Sequence, residues 1–142
     1  MTNSEIRQLI EEKIYNEWTT TPVIFENTEV VYDPTAIWSK LVIITSSSTN
    51  AELGKKVKKT GYIILQMFSP LGVGIGQLLK AADAFLLFLS NYRFTGYDLF
   101  TYAGTPIIIG ETTGKGDNLS NQYTTEPSRF YQINVRIYFE AF

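Results

Sequence analysis

The chain has 142 residues, a formal net charge of −2, no cysteine and no histidine. That length suits one domain with its own hydrophobic core. The missing residue types exclude disulfides, thiolate metal sites, Ser-His and Cys-His nucleophile systems and the commonest zinc ligand.

Charged residues make up 18% of the chain, below the ~25% usual for globular domains, and nine Tyr, nine Phe and two Trp are present. Few charges and many aromatics suit either a well-filled core or a subunit with protein partners. The slight acidity gives no reason to expect specific nucleic-acid binding. The polar, acidic start Met1-Thr2-Asn3-Ser4-Glu5 does not read as a signal peptide. Apolar runs stop well short of the ~20 residues of a membrane helix, so no membrane partner is expected.

The first predicted element is a helix. Thr2 and Glu5 have capping-box spacing. Ile6, Leu9, Ile10, Ile14 and Trp18 then form an apolar stripe, with Arg7, Glu11, Glu12 and Lys13 off it. Thr19-Thr20-Thr21-Pro22 ends it, because the residue before Pro avoids the α region. Short extended pieces are expected at Val23 to Phe25 and Glu29 to Tyr32, and a buried strand at about Ser39 to Thr45. Ser46 to Asn50 reads as a loop. A longer strand is expected from about Lys58 to Ser69, with Ile63, Leu65 and Met67 on one face and Tyr62, Ile64 and Phe68 on the other.

Pro70 and the glycines Gly72, Gly74 and Gly76 lead into a second helix. Their spacing is not that of a phosphate-binding loop, and they read as a tight strand-to-helix turn with close backbone approach. Leu78, Leu79, Ala82, Phe85, Leu86 and Leu89 form the helix's inner stripe, widened by Leu87 and Phe88. So broad an apolar surface calls for cover on a second side, by the first helix or by a neighbouring subunit. Short strands are expected at about Phe94 to Tyr102 and Thr105 to Ile109. A polar loop from Glu111 to Ser128 follows, its Leu119 and Tyr123 standing out as candidate assembly contacts. From Tyr131 to Ala141 apolar and polar residues alternate, the mark of a strand with one buried face. The fold class is therefore α+β: one domain over residues 1–142, a mostly antiparallel sheet with two helices packed on one face.

No catalytic set emerges. Asp83, Asp98, Glu111, Asp117 and Glu126 are scattered, and nothing pairs two of them as acid and base. No cofactor or metal is expected. Lys55, Lys56, Lys58 and Lys59 form a cluster with two open readings. It is a solvated edge that discourages aggregation, or an electrostatic contact to an acidic partner surface.

The order of features resembles the tail terminator-like family of long-tailed bacteriophages. The resemblance rests on Phe68-Ser69-Pro70-Leu71-Gly72-Val73-Gly74, on Ala82-Asp83 near the middle of the following helix, and on the aromatic end Ile137-Tyr138-Phe139-Glu140-Ala141-Phe142. It implies a non-enzymatic virion protein that closes into a hexameric ring. Such a ring caps the head-proximal end of the tail tube, stops its growth and offers a surface for head joining. The implied partners are further copies of itself, the major tail tube protein and a head-completion or neck protein. The implied setting is the host cytoplasm during assembly and then the virion. Another connector, neck or minor tail protein, and a small ligand-binding or enzymatic domain, are the alternatives.

Overall fold

A computed structural model describes residues 1–28, 35–50, 57–112 and 130–142, with residues 46–50 described by backbone alone. Helix α1 spans Asn3–Glu17 and helix α2 spans Gly76–Leu89. The strands are β1 Val23–Ile24, β2 Trp38–Asn50, β3 Val57–Pro70, β4 Leu99–Thr101, β5 Thr105–Thr112 and β6 Phe130–Ala141. They form one sheet in the order β1-β2-β3-β6-β4, with β5 also pairing β6. All pairs are antiparallel except β1 with β2. The fold is α+β as expected.

Both helices pack on one face of this sheet. Ile6, Ile10 and Ile14 of α1 and Leu78, Ala82, Phe85 and Leu89 of α2 share a core with Ile63, Leu65 and Met67 of β3 and Ile133, Val135 and Ile137 of β6. The capping box forms as the sequence predicts: Thr2 accepts from the Glu5 amide at 3.1 Å and Glu5 accepts from the Thr2 amide at 2.9 Å. At the other end of α1, the Trp18 indole donates to the Thr21 hydroxyl at 2.9 Å. Thr21 meets Ser39 at 3.1 Å, and Ser39 donates to the Pro22 carbonyl at 2.7 Å. This buried relay ties the helix end to β2.

Several sequence expectations are corrected. Ser46–Asn50 is not a loop but continues β2, paired with β3 beyond an irregularity between Thr45 and Ser47. Cross-strand pairing with residues of β3 outweighs the turn-like composition, and threonine itself suits strands. The strand expected over Phe94 to Tyr102 shrinks to Leu99–Thr101. Gly96, at φ +82°, turns the chain, and the Phe94 amide donates to the Leu99 carbonyl at 3.1 Å. Glu111 and Thr112 belong to β5 rather than to the following loop. The stretch Glu29 to Tyr32 lies outside the described residues.

The glycine turn before α2 is present, with a different cause. Gly72 and Gly74 both sit at φ +86°, yet no described atom lies within 4 Å of where their Cβ would be. Conformation rather than close approach calls for glycine there. Trp18 supplies the expected second cover of α2, its ring 5.1 Å from Phe85 and 5.5 Å from Phe88. Leu87 is uncovered, 88% exposed.

The opposite sheet face carries no described helix. At one end Trp38, Phe68 and Phe130 are buried together, with Trp38 stacked on Phe68 at 4.3 Å. Toward the other end the face is polar and aromatic.

Candidate functional site

Strand alternation divides the lysine cluster. Lys58 and Lys59 are consecutive in β3, so they point to opposite faces. Lys55, Lys56, Leu119 and Tyr123 lie outside the described residues. Lys58 is engaged within the chain: its ammonium meets Glu140 at 2.8 Å across the sheet. Glu140 also accepts from the Tyr102 hydroxyl at 2.8 Å and the Tyr138 hydroxyl at 3.1 Å. Tyr138 packs against Tyr62 at 5.7 Å and Tyr102 at 5.5 Å, and the Arg136 guanidinium lies 5.0 Å from the Tyr62 ring.

This cluster buttresses a surface and is poorly suited to acid–base chemistry. Hydrogen bonding to Lys58, then to both tyrosines, holds the Glu140 carboxyl below its ordinary range, against some desolvation. Lys58 is raised, chiefly by the Glu140 hydrogen bond, and so is Tyr102. Tyr138 is raised by burial and by Glu140. The depressed carboxyl adds stability above its unfolded value near 4.5, lost as pH falls through its folded value. The raised lysine and tyrosines add stability below their unfolded values, lost as pH rises through their folded ones. Replacing Glu140 by Gln is therefore expected to lower the urea midpoint slightly at neutral pH and to shallow its decline toward acid. Urea titrations of both proteins across the carboxylate range check this. An unchanged acid limb would show that Glu140 does not couple to folding.

The two sides of the sheet end differently. Along β2, the Ile43 amide donates to Glu26 at 2.8 Å and the Ile43 carbonyl accepts from Arg7 at 3.1 Å. Arg7 and Glu26 meet at 2.8 Å. Side chains thus occupy backbone groups that an incoming strand would use. Strand β5 carries Pro106 and, on its two faces, Ile107 at 37% and Ile108 at 56% exposure. Among the described strands only β6 pairs with it.

A groove runs between α1 and the segment around β1. One part, about 320 Å³, is lined by Glu11, Glu12, Tyr15, Phe25 and Thr28. A second part, about 540 Å³, shares Tyr15 and Phe25 and extends past Trp18 and Pro22. The Tyr15 and Phe25 rings are 6.3 Å apart, and Tyr15 is 78% exposed. Sequence reasoning missed this groove. Its signals were Tyr15 off the apolar stripe of α1 and Phe25 just beyond β1. Among the described residues no group of three or more acidic side chains is placed to hold a metal ion.

No protein-family model matches the chain, and no curated protein matches it. Eight solved chains do. One superposes over 100% of this chain and 96% of its own length, with a TM-score of 0.68 at 12% identity. At that identity the likeness is one of fold.

Proposed function

We propose that the chain is a structural ring subunit of the tail-terminator kind, without enzymatic activity. It closes on the head-proximal end of a tail tube, ends its growth and presents a surface for head joining. The resemblance in the passage from Phe68 to Asp83 and at the aromatic C-terminal strand supplies the role and the number six. The observation that carries an assembling role is strand β5, which leaves Ile107 and Ile108 exposed on its two faces. Uncovered apolar edges promote association, and natural proteins blunt or bury them. The Arg7–Glu26 pair blunts the β2 side, whereas apolar residues mark β5. Two unlike edges suit head-to-tail contacts, which close a ring when the rotation per subunit divides a full turn.

Negative-stain imaging of the concentrated protein, together with tail-tube growth in its presence, tests the reading. Six-fold rings and arrested tubes are the expected result. Rings that join heads but leave tube growth unchanged would indicate a connector instead. A protein that is monomeric at every concentration and ignores tubes would refute the assignment.

A further inference from the structure

We infer that the Tyr15–Phe25 groove receives the Arg136–Ile107 corner of the open sheet face from a second copy of this chain. The inference rests on the ring reading and names the two surfaces that meet. Register builds the corner. Thr105 pairs with Arg136 and Ile107 with Asn134, and cross-strand partners share a face. Ile107 and Arg136 are therefore diagonal neighbours on the face that carries no described helix. Arg136 is exposed, and so is Ile107. The guanidinium lies 5.0 Å from the centre of the Tyr62 ring, which orients it over the sheet. The ion pairs among the described residues are Arg7–Glu11, Arg7–Glu26, Lys13–Glu17 and Lys58–Glu140. Arg136 belongs to none of them.

The groove has the converse chemistry. Tyr15 and Phe25 form its wall, and Glu11 and Glu12 its rim. One guanidinium, Arg7, serves both Glu11 at 3.6 Å and Glu26 at 2.8 Å, while Glu12 accepts from the Gln8 amide at 2.9 Å. Three carboxylates thus stand around one guanidinium. A second guanidinium suits that rim, because its planar fork matches carboxylate oxygens. Ile107 suits the two rings, which gain from apolar cover.

The two surfaces lie at opposite borders of the sheet, the groove at β1 and the corner at β5 and β6. Four strand spacings of ~4.8 Å put about 19 Å of hydrogen-bonded sheet between β1 and β5, so the surfaces cannot meet within one chain. Groove against groove would set carboxylates together, and corner against corner would set guanidinium groups together. Charge therefore favours groove against corner, the unlike pairing that a head-to-tail ring requires.

Charge exchange tests it. Arg136→Glu and Glu12→Lys are each followed by sedimentation over a concentration series. Each alone is expected to raise the concentration for half-assembly about ten-fold, and raised salt to weaken the unmodified protein likewise. An equimolar mixture of the two should assemble as the unmodified protein does. Copies that alternate around an even-numbered ring restore opposite charges at every contact. The double variant should regain assembly for the same reason. Ile107→Ser, at an exposed position, should weaken assembly without altering the circular dichroism spectrum. Normal rings in both charge variants would overturn the inference and leave the ring reading standing. Weakening that neither the mixture nor the double variant restores would overturn it as well. Binding of a labelled single-stranded oligonucleotide, lost in Arg136→Glu while rings still form, would give the corner to nucleic acid and overturn it. Loss of tube binding in Glu12→Lys alone, with ring formation intact, would give the groove to the tube and overturn it too. Absence of any assembly in the unmodified protein would overturn both.

Discussion

Replacing Gly61 by alanine is expected to cost about 3 kcal/mol or more, at the upper end for overpacked sites. Gly61 sits within β3, opposite Phe139 of β6 and Thr45 of β2. A Cβ there would run into the Ile44 carbonyl oxygen and lie 2.8 Å from the Phe139 ring. The carbonyl is backbone, held by the pairing of β2 with β3, so it cannot swing aside as a side-chain end can. The Phe139 ring fills the space that the absent side chain leaves, an aromatic-over-glycine pairing across strands. Relief would require β2 to shift next to its irregularity between Thr45 and Ser47. Against a total stability of ~5–15 kcal/mol, such a loss leaves the domain marginal. Urea denaturation followed by circular dichroism measures it, and Gly61→Val should be worse. A cost below about 1 kcal/mol would mean that β2 can move away from β3 at this point.

Phe85→Ala is expected to cost about 3–5 kcal/mol, the usual range for a buried phenylalanine truncated to alanine. Phe85 is fully buried where both helices meet the sheet. Its ring meets Trp18 edge-on at 5.1 Å and Phe88 at 6.0 Å. The loss combines the transfer of the ring from water with the cavity left beneath Trp18. Trp18 and Trp38 are the chain's two tryptophans, so intrinsic fluorescence reads this region together with the opposite sheet face. At an unchanged denaturant slope of ~1–3 kcal/mol per M urea, the midpoint should fall by about 2 M. Leu87→Ala, on the same helix but 88% exposed, should leave the midpoint nearly unchanged. A large effect of Leu87→Ala would show that a neighbouring copy covers it in solution. The two substitutions thus separate the part of α2 that builds the domain from the part that faces outward.

The glutamate cluster alters what a test of the lysines can mean. Reversing Lys58 would place a second carboxylate against Glu140, which it meets at 2.8 Å. Its effect would mix a local repulsion with any loss of an external contact.

Local chemistry in the sequence determined α1, α2, β3, β6 and the fold class. A capping box, a 3.6-residue stripe and a two-residue alternation each depend only on neighbours a few positions apart, so they can be read along the chain. The same alternation placed Tyr62, Ile64 and Phe68 on the face away from the helices. Tertiary structure decided what depends on distant residues. Ser46–Asn50 became strand because β3 runs beside it. Lys58 was taken out of the lysine cluster by Glu140, more than eighty positions away. Arg7 and Glu26 closed the edge of β2 because the helix and the segment after β1 converge on Ile43. The groove exists because the Trp18–Thr21–Ser39 relay holds the end of α1 against β2. Periodicity fixes which way a side chain points, but only the folded chain fixes what it meets there.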